Sequence, residues 1–327
     1  MKNLKQLVCP LAVPLFDGCV GGYFKLSSRL FQESQRAEKP LVVIIPSYNN
    51  ARYYKRNLDS VLNQRYKNFR VIYVDDQSPD GTGELVEAYL KQQSRNFQDI
   101  NSYISRVQLI KNTQRKGALA NQYDAIHSCK DEEVIVTLDG DDWFAHRDVL
   151  ARINREYQEH DAWLTYGNYI TFPWARSGIC APISCAVHAA KAYRKSVWVT
   201  SHTRTYYAWL FKKINKEDLQ ENGAFLDVSC DIALMLPMLE MAGANHIRFI
   251  PEVTYIYNVA SPLNDYKLHV LEQHRIESLL RSKDSYAQIR IYKKESFLKQ
   301  SVGQKHCCSN DLATSSKNKK IENMLSL

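Results

Sequence analysis

Glycine is missing where many nucleotide-binding folds require it. None stands between Leu41 and Asp80, so the glycine-rich turn that a dinucleotide-binding βαβ unit places after its first strand is absent. No Gly-Lys-Ser or Gly-Lys-Thr occurs anywhere, which excludes a Walker-type phosphate loop. None of the eight cysteines belongs to a C-x-x-C pair, which argues against a zinc ribbon or a thioredoxin-type site. They are scattered through a long chain rather than set out as a disulfide framework, so a reducing, cytoplasmic compartment is expected. No apolar run reaches the roughly 20 residues of a spanning helix. The nearest approach, Leu7 to Phe24, is broken by Pro10, Pro14, Asp17 and three glycines. Two lysines precede it, giving a poor likeness to a signal peptide. A flexible or surface-lying leader over residues 1–38 is the simpler reading, and a peripheral contact with the inner face of a membrane stays open. Internal repeats are absent, and so is any useful basic run outside the C-terminal tail. Nucleic acid is therefore not an expected partner.

What remains is an ordinary globular composition. The 327 residues are 45% apolar and 24% charged, enough for one large domain or two small ones. The net charge of +8 suits an anionic partner such as a nucleotide diphosphate.

From Pro40 onward the chain alternates short apolar runs with amphipathic stretches. Leu41–Ile45, Arg70–Val74, Val107–Ile110, Val134–Leu138 and Trp163–Tyr166 read as strands. Helices are expected around Tyr54–Leu62, Leu85–Leu90, Ala118–Ser128 and Asp148–Tyr157. Such alternation implies right-handed βαβ crossovers and a mainly parallel sheet covered on both faces. After residue 167 the pattern changes. Aromatic and basic residues mix through Tyr193–Lys213, a helix is expected over Ser229–Met241, and Pro237 should kink or break it. Arg248–Tyr257 reads as a strand pair or one long strand, and Lys267–Arg281 as a helix. From Gln300 the chain is polar and Lys/Ser-rich. The division expected is a leader (1–38), a first half (39–170), a second half (171–285) and a polar tail (286–327).

Three strand ends carry unusual chemistry on what would be one edge of the sheet. After the first comes Pro46-Ser47-Tyr48-Asn49-Asn50, where Tyr48 could stack on a base, or the segment could simply be a Pro/Asn turn. After the second comes Val74-Asp75-Asp76-Gln77-Ser78-Pro79-Asp80-Gly81-Thr82. Asp80 and Thr82 suit a turn and a helix cap, whereas Asp76 at a strand's carboxyl end suits recognition of a base N–H or a ribose hydroxyl. After the fourth comes Asp139-Gly140-Asp141-Asp142. Three acids this close repel one another, and a hard cation such as Mg²⁺ relieves that repulsion while filling its other positions with water and phosphate oxygens. A solvated acidic turn is the plainer alternative. Arg115 and Lys116, ahead of a helix, could touch phosphates.

Together these segments resemble the nucleotide-sugar glycosyltransferases of the GT-A fold, in particular glycosyltransferase family 2, over roughly residues 40–170. The strand and loop Leu41–Asn49, the helix Leu58-Asp59-Ser60-Val61-Leu62-Asn63-Gln64, the acidic segment Val74–Thr82 and the D-x-D at Asp139–Asp141 occur in that family's order and spacing. The resemblance implies a Rossmann-like α/β sheet flanked by helices, with an acceptor-side α+β region after it. It implies an inverting transfer of a sugar from a nucleotide-diphosphate donor, a UDP-sugar by expectation, to a hydroxyl of a glycan or lipid-linked acceptor, with Mn²⁺ or Mg²⁺. Position by position, Asp76, Pro46 and Tyr48 would hold the donor's base, with Lys116 beside them. Asp139 would lie near ribose and metal. Asp141 would coordinate the cation, with Asp142 as the alternative. The family's carboxylate base corresponds to Asp231 in Phe225–Leu234, with Asp227 in reserve; Cys230 stands where an acidic partner is usual. His202 and Arg204 are candidates for contact with acceptor or phosphate. If the base were absent, the same acids would make a non-catalytic nucleotide-sugar-binding protein. A sugar-phosphate nucleotidyltransferase would want a glycine-rich basic loop after the first strand, which Ser47–Asn50 does not supply.

Overall fold

A computed structural model describes residues 38–96, 106–261 and 269–290, and the fold is that of the unit ending at Gln288. Four strands form its first half: β1 (Leu41–Ser47), β2 (Phe69–Asp75), β3 (Val107–Lys111) and β4 (Val134–Thr137). All residues of β1 and β4 are buried, because helices cover both faces of the sheet. β1 pairs in parallel with β2 on one side and β4 on the other, and β2 pairs in parallel with β3. The crossovers carry α1 (Tyr54–Leu62), α2 (Thr82–Asn96) and α3 (Ala118–His127). The apolar spacing that predicts α1 buries Leu58 and Val61 together with Asn57.

The second half adds β5 (Trp143–Phe144), α4 (Val149–Glu159), β6 (Leu164–Phe172), α5 (Cys185–Ala190), β7 (Arg204–Tyr207) and α6 (Ala208–Phe211). A small hairpin follows, β8 (Gln220–Glu221) with β9 (Ala224–Phe225). The described chain then continues through α7 (Cys230–Ala242), β10 (Ile247–Asn258) and α8 (Val270–Ser282). The main sheet runs β3-β2-β1-β4-β7-β6-β10-β5. β7 is antiparallel to both β4 and β6, and β5 is antiparallel to β10. The sheet is thus parallel through its first half and mixed beyond β4.

Two local readings with open alternatives narrow. Pro237 neither breaks nor ends α7, which runs on to Ala242 with every residue from Ile232 to Ala242 buried. Proline forfeits one backbone bond, and a helix held by packing on all sides tolerates that loss. Arg248–Tyr257 is a single strand, and its pairing with β6 slips between Phe249 and Val253 and again between Val253 and Tyr255. Such bulges accommodate Pro251 within the strand. Residues 1–37 of the expected leader, the tail beyond residue 290 and the expected helix start at Lys267 lie outside the described residues. Among the described residues no helix is long and apolar enough to cross a membrane.

Candidate active site

Strand order reverses between β1 and β4, and at such a switch point the loops leaving the carboxyl ends part to form a crevice. A cleft of about 1150 Å³ opens there. It is lined by Pro46, Tyr48, Asp76, Lys116, Asp139, Asp141, His202, Arg204, Asp227 and Asp231. The cleft is therefore lined by every site residue expected from the sequence except Asp142.

The loop after β1 is pinned to the start of α2. The backbone N–H of Asn50 donates to Thr82 Oγ1 at 2.9 Å and that of Ala51 to Asp80 Oδ2 at 2.9 Å. Asp80 also accepts from the Thr82 N–H at 3.0 Å, so this acid caps a helix and ties two loops. Tyr48 carries the Arg115 guanidinium 4.1 Å from its ring centre, which places a cation on one face of the ring expected to stack a base.

Asp76, 3% exposed, accepts from Asn112 Nδ2 (2.8 Å), the Lys116 N–H (2.9 Å) and the Gly117 N–H (2.8 Å). Burial pushes its carboxyl upward, but the nearby Asn121 amide and the hydrogen bonds from Asn112 and the two backbone amides prevail and hold it below its ordinary value. Lys116 meets Asp76 through its backbone; its ammonium turns to Asp124 at 2.8 Å. Gly117 has φ +88°, a conformation that costs glycine little. A Cβ there would come within 3.0 Å of Asp227 Oδ1, so Asp227 overlies this loop.

The acidic loop after β4 is held from two directions. Asn57 of α1 donates to the carbonyls of Asp139 (2.9 Å) and Asp142 (2.8 Å). Gly140 has no room for a side chain, since a Cβ would meet Asn50 Nδ2 at 2.5 Å and Ser47 Oγ at 2.7 Å. Asp141 faces the cleft. Asp142 turns inward, fully buried, and accepts from the Tyr255 hydroxyl and the Asn258 N–H, each at 2.7 Å. Burial and the charges of Asp141 and Asp139 push its carboxyl well above the usual range.

Arg204, on β7, stands between acids of opposite walls: it is 3.7 Å from Asp139 Oδ2 and 3.9 Å from Asp231 Oδ2. Its Nε is buried without a hydrogen-bond partner among the described residues. Burial favours loss of its charge, and the two carboxylates override that. Asp139 is raised by burial and by Asp231, against the pull of Arg204. Asp231 lies in the first turn of α7. His202 is stacked on Tyr255, with ring centres 4.4 Å apart and planes within 15°. Burial and Arg204 lower its pKa strongly, which favours the neutral imidazole, the form that ligates metals.

One oxygen each of Asp139 and Asp142 and one nitrogen of His202 lie within 4.8 Å of one another, and His202 Nδ1 is buried without a hydrogen-bond partner among the described residues. Two carboxylates with an unpartnered imidazole nitrogen form a donor set that fits a divalent cation.

Sequence reasoning missed Asn57, Tyr255 and Asn258, which aim or anchor the acidic loop. It also missed the wall made by His269, Glu272 and Gln273 around the start of α8. No local pattern marks Asn57, Tyr255 or Asn258, because each acts across more than 80 residues of chain.

The chain matches the family model "Glycosyl transferase family 2" over residues 42–218. It is 28% identical over 130 residues to Glycosyltransferase GlyG of Streptococcus pneumoniae, covering 40% of this chain and 39% of that one. It is 27% identical over 132 residues to Glycosyltransferase GlyA of the same organism, covering 40% of this chain and 17% of that one. The matches thus span well under half the length of these curated relatives. Among solved structures, S. aureus TarS 1-349 in complex with UDP-GlcNAc superposes with a TM-score of 0.50 at 17% identity, covering 73% of this chain and 66% of that one. That likeness is one of fold.

Proposed function

The chain belongs to glycosyl transferase family 2, and from that premise we propose that it moves a sugar from a nucleotide-diphosphate donor to a hydroxyl acceptor with inversion at the anomeric carbon. The observation that carries this reading is the shared cleft. Asp76, Asp139 and Asp141 enter it from the ends of β2 and β4, and Asp231 enters from the start of α7.

Residues 39–170 would hold the donor and 171–285 the acceptor. The donor is taken as a UDP-sugar, since uracil offers an N–H that an acid at Asp76 can accept. Pro46 and Tyr48 would flank the base, and Arg115 on Tyr48 would add positive charge near the phosphates. Asp141, together with Asp139, Asp142 and His202, would hold Mn²⁺ or Mg²⁺. When bound, such a cation neutralises charge developing on the departing diphosphate. Asp231 takes the proton of the acceptor hydroxyl. That oxygen then bonds to the anomeric carbon from the face opposite the diphosphate. The bond from anomeric carbon to phosphate oxygen breaks, and its electron pair leaves with the nucleotide. Arg204 keeps Asp231 and Asp139 from repelling each other across the gap. The acceptor would be a hydroxyl of a glycan or of a lipid-linked glycan, the latter presented at a membrane surface.

The test is Asp231→Asn. Transfer should fall about 10²–10⁴-fold, the usual contribution of a general base, while donor binding stays within a few-fold. Product from the wild type should show the inverted anomeric configuration by NMR. Donor binding with no turnover by the wild type across a broad acceptor panel would favour a binding protein instead.

A further inference from the structure

Tyr255 is fully buried and is not part of the cleft wall, yet it meets three of the groups assigned above to the cation. Its hydroxyl donates to Asp142 Oδ2 at 2.7 Å and accepts from the Asp139 N–H at 3.1 Å. Its ring lies flat against His202. We propose that Tyr255 is the positioning residue of the cation site: one hydroxyl sets the acidic loop and one ring sets the imidazole, so that Asp139, Asp142 and His202 are presented as a unit. This rests on the reading that a divalent cation binds there.

Three features separate this from an ordinary core tyrosine. The first is how the hydroxyl is used. A phenol has one donor, and here it is spent on a carboxylate. The other fully buried tyrosines do otherwise: Tyr73 donates to Ser47 Oγ, Tyr166 to the Ala181 carbonyl, and the Tyr206 hydroxyl has no partner among the described residues. The less deeply buried Tyr89 does donate to a carboxylate, Asp59 Oδ1 at 2.6 Å, but neither Tyr89 nor Asp59 lines the cleft. The second is how the side chain comes to point this way. Val253 pairs with Asn168, but Tyr255 pairs with the next residue, Tyr169. Two steps on β10 oppose one on β6, so Thr254 is an inserted residue. A one-residue slip exchanges the faces of a strand, and bulges near active sites re-aim side chains in this way. The third is the rigidity of the support. Tyr255 pairs with Phe144 of β5 on one side and Tyr169 of β6 on the other. Three residues further on, Asn258 donates from its N–H to Asp142 Oδ1 at 2.7 Å and from Nδ2 to the Asp141 carbonyl at 3.1 Å. The end of β10 is thus a template against which Asp139–Asp142 is laid down.

Groups that orient metal ligands typically govern affinity by about 10–100-fold. The experiment is a Mn²⁺ titration of the full chain by EPR, without donor or acceptor, for the wild type, Tyr255→Phe and Tyr206→Phe. Tyr255→Phe keeps the ring on His202 and removes only the hydroxyl. Its Mn²⁺ affinity should fall about 10–100-fold, with an unchanged circular dichroism spectrum, while Tyr206→Phe should bind as the wild type does. Equal affinity of wild type and Tyr255→Phe overturns the proposal while leaving the cation reading intact. A wild type that takes up no Mn²⁺ overturns both. Should Tyr255→Phe fail to fold, tyrosine labelled with ¹³C at Cζ in the wild type replaces it. Substoichiometric Mn²⁺ should then broaden the Tyr255 resonance ahead of other buried tyrosines, and a sharp Tyr255 line at saturation overturns the proposal.

Discussion

Asp76 is nearly sealed from water, yet its carboxyl is held below the ordinary 3.8 because hydrogen bonds to the charged form outweigh the cost of burial. A depressed carboxylate adds stability that is fully present above its unfolded-chain value and is lost as pH falls through its folded value. Asp76→Asn imitates that loss at neutral pH, since an amide nitrogen would face the N–H of Lys116 or Gly117, donor against donor. Leaving a buried donor unpaired costs about 1–3 kcal/mol. Urea denaturation should show a gap of that size between wild type and Asp76→Asn at pH 7. The gap should close as pH is lowered through and below the ordinary carboxylate range. A gap independent of pH would show that the charge of Asp76 does not hold this loop. The same reasoning explains why Asp76 stood out in the sequence: an acid ending a buried strand needs partners. It does not explain Asp142, which looks equivalent to Asp141 on paper and points the opposite way. The difference lies in Tyr255 and Asn258, more than 110 residues away.

Among the elements, α8 illustrates how the cleft wall is secured. Arg194 bonds both oxygens of Glu240 on α7, at 2.7 and 2.9 Å, and also donates to the Leu280 carbonyl of α8. Glu240 accepts in turn from the Tyr286 N–H at 3.0 Å. Both partners are almost fully buried. Removing one member of such a pair leaves a charge without compensation and costs about 3–5 kcal/mol, whereas replacing both by apolar groups is often close to neutral. Arg194→Met and Glu240→Leu should therefore each lower stability by about that amount, and the double variant should recover most of it, as read by thermal and urea denaturation. Simple addition of the two losses would contradict the clamp. Nothing in the sequence announces it, because Arg194 and Glu240 each sit in an unremarkable local setting. What was legible were β1 to β4, of which β1, β2 and β4 carry the apolar imprint of a sheet covered on both faces, and the acids at the ends of β2 and β4. β7 escaped notice because Arg204, Thr205 and Tyr206 are polar or amphipathic and nonetheless buried. β5 has only two residues, too few to show a period.

The cleft itself predicts how the protein responds to its donor. A positive net charge of +8, with Arg115 and Lys116 at the cleft, would draw in the anionic diphosphate of the proposed donor. On the proposed function, the acids of the cleft would need a cation before that diphosphate could settle beside them. Binding to the folded state alone stabilises by about 2.7 kcal/mol at a hundredfold excess over Kd. In a chain of this size that raises the melting midpoint by roughly 5 °C. A UDP-sugar should therefore shift the midpoint by about this amount with Mn²⁺ and by much less without it. Asp141 faces the cleft and its carbonyl, not its carboxylate, is the atom held by Asn258. Asp141→Ala should erase the Mn²⁺-dependent part of the shift, read against the variant's own unliganded midpoint. If Asp141→Ala responds to UDP-sugar and Mn²⁺ as the wild type does, the carboxylate of Asp141 is not a ligand, and the cation would have to be held by Asp139, Asp142 and His202 alone.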